Sequence, residues 1–239
     1  MYKRVLLKLS GEALKDNDGL QIINVDHMSE LASTIKTLHD VGVQIAIVIG
    51  AGNIWRGKLA KEIGIDQVPA DYMGMLGTII NAVAMSSALK KIGVDSVVFS
   101  ALSQVPETTV TYKPEDAIRA MEEGKVAFLA GGTGKPFFTT DTAATMRAIE
   151  TKCEAIFMGK NGVIGVYDKD PTKYSDAKFI PEITYQQILD MNLQIMDLSA
   201  VELIKDKDIE IRIFSMSDPQ NFIRVANNEK LGTVCKKGE

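Results

Sequence analysis

Apolar positions along the chain alternate between two periods. Val5 to Leu9 is a short β-rich run. From Asp26 to Val41, Leu31, Ile35, Leu38 and Val41 form a helical stripe, and Gly42 offers a stop after it. Val43-Gln44-Ile45-Ala46-Ile47-Val48-Ile49 reads as a buried strand ending at Gly50. Tyr72 to Ile92 is a long helical pattern rich in Met, Ala and Ile, followed by a strand over Val94 to Phe99. Pro114 to Glu123 predicts a helix with Pro near its start and Gly124 after its end. Val126 to Ala130 is a strand, a helix runs from a cap at Thr140 or Asp141 to about Lys152, and Ala155 to Met158 is a strand again. This alternation predicts an α/β fold, a three-layer α/β/α sandwich around a largely parallel open sheet.

From about Gly162 the texture changes. Gly, Asp, Lys, Pro and Ser cluster through Pro181, which predicts a long functional loop or small hairpin. Two short helical patterns follow, then a strand over Glu210 to Phe214, a helix near Pro219 to Asn227, and a short strand over Thr233 to Cys235. The change near residue 160 separates subdomains at most, so the expectation is one domain over 1–239, with parts at about 1–155 and 156–239.

Composition narrows the function classes. The 239 residues are 46% hydrophobic and 24% charged, with a net charge of −4. The acidic balance and the lack of a basic run argue against a nucleic acid polymer as partner. A small anion remains compatible, since a few cations and backbone N–H groups bind it locally. The N-terminal apolar stretch is too short for a signal peptide and no later run reads as a bilayer span, so no membrane partner is expected. Cys153 and Cys235 lack metal-ligand spacing and read as two buried thiols, which suits a cytoplasmic protein. His27 and His39 fall in the first helical pattern and are expected to face solvent. Chemistry then falls to lysine, arginine, carboxylates and backbone, and no metal site made by the protein alone is expected.

Glycine-rich turns follow strands in three places: Lys8-Leu9-Ser10-Gly11-Glu12, Gly50-Ala51-Gly52-Asn53 with Arg56-Gly57, and Gly131-Gly132-Thr133-Gly134-Lys135-Pro136-Phe137-Phe138-Thr139-Thr140-Asp141. Glycine lets backbone approach a ligand closely, and the next helix start favours an anion. Each turn by itself is also an ordinary strand–helix connection. The P-loop pattern is absent, because Pro136 follows Gly134-Lys135, and so is G-x-G-x-x-G.

Together these segments resemble the bacterial uridylate (UMP) kinases of the amino acid kinase family. The Lys-Leu-Ser-Gly start at Lys8 is shared across that family, while Asp71-Tyr72-Met73-Gly74-Met75 and the Thr133 to Asp141 segment resemble the UMP kinases in particular. The resemblance covers nearly the whole chain. It implies an amino acid kinase fold, phosphorylation of UMP to UDP by ATP with Mg²⁺, a homohexamer built from dimers, and feedback by UTP.

The resemblance also implies roles. Lys8, Asp141 and Lys160 would be catalytic. Lys8, Leu9, Ser10, Gly11, Asn161, Tyr167 and Asp170 would bind ATP. Gly50, Ala51, Gly52, Arg56, Asp71, Thr133, Gly134, Lys135, Pro136, Phe137, Phe138, Thr139 and Thr140 would bind UMP. Plainer readings stand beside these. Arg56 also suits a solvated helix start, Asp71 and Asp141 suit N-caps, and at least one of Phe137 and Phe138 suits the core. Asp197 matches a family aspartate without a clear role. Ile164 departs from the pattern, where many relatives carry Asp. Tyr72 to Ile92 would form much of a dimer interface, or be an ordinary core helix. The stretch Ser86-Ser87-Ala88-Leu89-Lys90 lacks the basic residues through which some relatives bind GTP, so activation by GTP is expected to be weak or absent. Another amino acid kinase, acting on carbamate, glutamate or aspartate, and a non-catalytic nucleotide sensor are the competing readings.

Overall fold

The computed structural model describes residues 1–16, 21–103, 105–160, 162–216 and 218–238. The first half runs β1 (Arg4–Leu9), a 3-10 turn (Gly11–Leu14), α1 (Val25–Asp40), β2 (Gln44–Ile49), α2 (Gly57–Ile63), α3 (Gln67–Lys91), β3 (Ser96–Ser100), β4 (Val110–Thr111), α4 (Pro114–Glu122) and β5 (Val126–Ala130). The second runs α5 (Thr140–Glu150), β6 (Ala155–Lys160), β7 (Val166–Tyr167), β8 (Phe179–Ile180), β9 (Glu182–Thr184), α6 (Tyr185–Asp190), α7 (Leu198–Ile204), β10 (Glu210–Ser215), α8 (Gln220–Ala226) and β11 (Thr233–Lys236).

Nine strands form one sheet in the order β4-β3-β5-β2-β1-β6-β10-β11-β9. All neighbours are parallel except β10 and β11. β1 is central. The chain first builds outward on its β2 side, then crosses to its other side at β6. That reversal opens a crevice at the carboxyl ends of β1, β2 and β6, where open α/β sheets bind ligands.

The sheet is buried on both faces, and side-chain alternation divides the core. Val5, Leu7 and Leu9 of β1 pack with Leu31, Ile35 and Leu38 of α1, Ile79 and Met85 of α3, and Phe222 of α8. Leu6 packs on the opposite face with Ala144 and Ala148 of α5, Ala120 of α4, Tyr185 of α6 and Val201 of α7. This is the expected three-layer arrangement.

Several boundaries differ from the sequence reading. α3 begins at Gln67, five residues before Tyr72. Its opening turn has little apolar periodicity, and Pro69 is tolerated there because first-turn N–H groups need no intrahelical partner. At 25 residues α3 has the length and apolarity to cross a bilayer, a feature the reading of runs passes over. Half of that stretch is buried, and α3 packs on α1, β2, β3 and β5. The helices and strands too short to show a period, α2, β4 and β9, were not expected. The segment after Gly162 is a two-stranded antiparallel ribbon, β7 with β8.

The histidines also differ from expectation. Both are half-buried and bonded to carbonyls: His27 Nδ1 lies 2.6 Å from Lys15 O, and His39 Nε2 lies 2.8 Å from Gly124 O. Cys153 and Cys235 are free and buried, as expected.

Candidate active site

Alternation along β1 and β6 decides where the lysines point. Lys8 shares the Leu6 face, and Lys160 shares the face of Ile156 and Met158. Both therefore face α5, whose first turn carries Asp141. Lys8 Nζ lies 2.6 Å from Asp141 Oδ1, with about a sixth of each side chain exposed. Burial, and then the charge of Lys8, pull the Lys160 ammonium below its usual range, while Asp141 acts against them. Two cations and one carboxylate thus share one partly desolvated junction, in which electrostatic interactions are stronger than in water.

Asp141 is not the cap of α5. Thr139 holds that position and accepts from Thr142 N, so Asp141 is left for Lys8. The cap expected at Thr140 or Asp141 therefore moves to Thr139. Asp71 is likewise not a cap, because α3 starts earlier and Asp66 stands at its N-cap position. Asp71 Oδ2 instead accepts from Phe137 N at 2.7 Å.

The three glycine turns converge at Gly50. A Cβ built there would lie 3.6 Å from Gly11 N, 3.7 Å from Thr140 Oγ1 and 3.8 Å from Leu9 O. Leu9 is buried, and its carbonyl accepts from Gly50 N at 2.9 Å. Ser10 caps the 3-10 turn through its side chain, which accepts from Glu12 N. Gly11 has no room for a side chain: a Cβ would lie 2.4 Å from both Gly50 O and Asn53 Oδ1. That is a close-approach glycine, independent of any ligand.

Beside this convergence lies a cavity of about 330 Å³. Its walls include Ala51, Gly52, Asp71, Thr133, Lys135, Phe138, Thr139 and Thr140 of the expected acceptor set, and also Trp55, Gly74, Met75 and Thr78. Gly50, Gly134, Pro136, Phe137 and Arg56 do not line it. Asp71, Gly74, Met75 and Thr78 follow i, i+3, i+4 and i+7 spacing, so one face of α3 forms a wall. The sequence reading named neither Met75 nor Thr78 as a site residue; their helical spacing from Asp71 is a signal only once Asp71 is known to face the cavity.

The loop between β5 and α5 is held from two helices. Gly131 N donates to Thr78 Oγ1 at 2.9 Å, and Arg147 Nη2 donates to Gly132 O at 2.9 Å. Gly131, Gly132, Gly134 and Phe137 all have positive φ, so this loop is a tight turn rather than an extended strand. Phe137 and Phe138 are exposed at 64% and 53%, so neither follows the plainer reading of a core residue.

Arg56 stands at the N-cap position of α2, more than half exposed. It is paired with Glu12, whose other oxygen lies 2.7 Å from Lys15 Nζ. Glu12 is held below its usual carboxylate range, first by Lys15 and then by Arg56. It was missed as a site residue, although it lies directly after Gly11. A second cavity, lined by Lys8, Ser10, Glu12 and Lys160, adjoins the junction. A third, lined by Asp141, Lys160 and Asp197, adjoins it from the α7 side.

Tyr167 ends β7, and Asp170 lies in the connection from β7 to β8. Tyr167 packs edge-on against Phe179, and Asp170 accepts from Thr172 N and Thr172 Oγ1. Neither lines the three cavities around Lys8, Asp141 and Lys160. Ile164, three residues before Tyr167, is exposed. Asn161 lies outside the described residues.

A family model for the amino acid kinase family matches residues 3–215. The chain belongs to the amino acid kinase family. It is 48% identical to a curated uridylate kinase of Mycoplasma capricolum, over 98% of each chain. It is 43% identical to one of Limosilactobacillus reuteri, over 98% of this chain and 97% of the other. Its fold matches the crystal structure of a UMP kinase from Bacillus anthracis with a TM-score of 0.95 at 36% identity, covering 100% of this chain and 97% of that one. The UMP kinase from Ureaplasma parvum gives 0.92 at 37% identity, covering 99% and 100%.

Proposed function

We propose that this amino acid kinase transfers the terminal phosphoryl group of ATP to the phosphate of UMP, giving UDP and ADP. The observation that carries this reading is the Lys8–Asp141–Lys160 junction, whose lysines line the cavity with Ser10 and Glu12 and whose Asp141 follows Thr139 and Thr140 of the cavity walled by Asp71. The attacking atom is a UMP phosphate oxygen. A phosphate monoester has a second pKa near ~6, so it is already dianionic at neutral pH and needs no general base. Among the described residues, none that lines these cavities is a histidine.

The protein's work is to hold two polyanions in line and to balance charge on the transferring group. Lys8 and Lys160 supply the positive charge. Asp141 fixes Lys8 and limits repulsion between the two ammonium groups. Thr139 and Thr140 offer donors and acceptors to the uracil, and Asp71 a carboxylate to the ribose. Backbone of Ser10, Gly11 and the Gly50–Gly52 turn approaches the phosphates. Mg²⁺ commonly binds through one or two carboxylates plus substrate phosphates, and Asp141 beside this cavity fits such a partner. When bound with ATP, the ion would neutralise phosphate charge.

Further parts of the reading rest on surface features. Val68, Tyr72, Leu76 and Ile80 recur every fourth residue of α3 and are exposed, which supports a dimer through that helix and a hexamer built from dimers. Ser86 is buried against Ser96, and Lys90 alone of Ser86 to Lys90 is cationic, which supports weak or absent GTP activation. Feedback by UTP, a role in pyrimidine nucleotide synthesis, and a cytoplasmic location with reduced Cys153 and Cys235 complete the reading. A single domain with an acceptor-binding part over about 1–155 and an ATP-binding part over about 156–239 remains part of it.

The deciding experiment measures UDP formation from Mg-ATP with UMP and CMP side by side, and with carbamate, glutamate and aspartate as further acceptors. UMP alone is expected to be turned over well. Equal rates with CMP would refute the uracil assignment, and no turnover of any acceptor would favour a nucleotide sensor.

A further inference from the structure

We infer that Asn53 and Asn81 form a positioning pair that sets the Gly50–Gly52 turn for phosphoryl transfer, an inference that rests on the kinase reading. Neither residue lines the acceptor cavity, and the amide N–H groups of both are taken up by one another and by backbone carbonyls. Asn81 is fully buried in the middle of α3, and Asn53 is 9% exposed.

The two amides bond reciprocally. Asn81 Nδ2 donates to Asn53 Oδ1 at 2.8 Å, and Asn53 Nδ2 donates to Asn81 Oδ1 at 3.0 Å. Each keeps one further N–H. That of Asn81 goes to Gly50 O at 2.8 Å, and that of Asn53 goes to Ile22 O at 2.7 Å. All four donors are therefore used. Rotating either amide by half a turn would set oxygen against oxygen at Gly50 or Ile22, so only one arrangement satisfies the pair.

An apolar pair of the same shape would leave Gly50 O and Ile22 O without these donors, so the amides fix the turn in a way that packing alone would not. What they orient is the meeting point of the two phosphate turns. Gly50 O and Asn53 Oδ1 are the two atoms that a Gly11 Cβ would strike at 2.4 Å. The Lys8–Gly11 turn thus rests on the pair and on the carbonyl that the pair holds. A shift of Gly50 moves the acceptor turn directly and the donor turn by contact. Displacement of about 1 Å in a positioned reactant can cost on the order of 10²-fold in rate.

Asn81→Ala and Asn53→Ala are the test, assayed at 25 °C with wild type for UDP formation and with thermal unfolding in parallel. Each variant is expected to unfold cooperatively and to lose about 10- to 100-fold in kcat, with KM for UMP and for ATP within about threefold of wild type. The double variant is expected to be no slower than the worse single one, because the pair acts as a unit. Trp55, the single tryptophan, donates to Ala70 O from the same turn, and its emission is expected to shift in both variants. Wild-type kcat in either folded variant would overturn the inference, as would a lowered melting temperature with unchanged kcat. Failure of both variants to fold would overturn it too, since the pair would then serve the fold rather than the turn. An inactive wild type would instead sink the kinase reading.

Discussion

At the scale of residues, the site is built from alternation and one relocated cap. Lys8 and Lys160 face α5 because each sits an even number of positions from an α5-facing apolar residue of its strand. Asp141 is free to meet them because Thr139 takes the capping role. Removing one preorganised charge stabiliser commonly costs on the order of 10²- to 10³-fold in kcat. Lys8→Ala is therefore expected to lower kcat by about that factor, with a smaller change in KM for UMP, in a steady-state UDP assay. A variant with unchanged kcat would remove Lys8 from the chemistry. The short-range pattern could not choose between the readings of Asp141, since a cap and a lysine partner require the same residue at neighbouring positions.

At the scale of elements, α3 ties the molecule together. Its buried side supplies Asp71 and Thr78 to the loop after β5 and Asn81 to the turn after β2. Gly77 permits this approach, since a Cβ there would lie 2.8 Å from the Ala51 Cβ. The far end of the sheet depends on a different glycine. Gly232 has φ +70°, and a Cβ there would lie 2.1 Å from Ile213 O, a backbone atom that cannot give way. It leads into β11, the strand that reverses direction on β10. Gly232→Ala is expected to destabilise by about 1–3 kcal/mol from overpacking, plus the cost of a left-handed alanine. At roughly 2–4 °C per kcal/mol for a chain of this size, the melting temperature should fall by several degrees. The KM for UMP should stay near wild type, because Gly232 lies far along the sheet order from the acceptor cavity.

At the scale of the whole molecule, buried and half-buried acids that are neutral at pH 7 are expected to set the alkaline limit of stability. Burial pushes the Cys153 and Cys235 thiols up to about 12 from 9.0. Burial, and then Glu210, push the Tyr2 phenol up to about 12 from 10.0. Tyr112 and Tyr185 are raised too, both mainly by burial. A group whose folded pKa is raised contributes stability below its unfolded pKa and loses it as pH climbs towards the folded value. Lys160, lowered by burial, acts with the opposite sign but is one group against five. The urea midpoint is therefore expected to hold between pH 7 and 8.5 and to fall progressively from about pH 9 towards 12. An unchanged midpoint at pH 10.5 would contradict this burial.

The sequence by itself determined the class of fold, the order of most elements and the three glycine turns, because periodicity and punctuation are local properties of a chain. It also carried the family, through residues that lie together in sequence. Only the tertiary structure decided that Asp71 and Asp141 are not caps, that Phe137 and Phe138 are exposed, and that Glu12, Thr78, Asn81 and Arg147 support the candidate site. Each of those depends on a partner from another element: Phe137 for Asp71, Lys8 for Asp141, Arg56 for Glu12, Gly131 for Thr78, Gly50 for Asn81 and Gly132 for Arg147. Contacts between residues fifteen or more positions apart leave no period in the sequence, and packing alone brings them within hydrogen-bonding range.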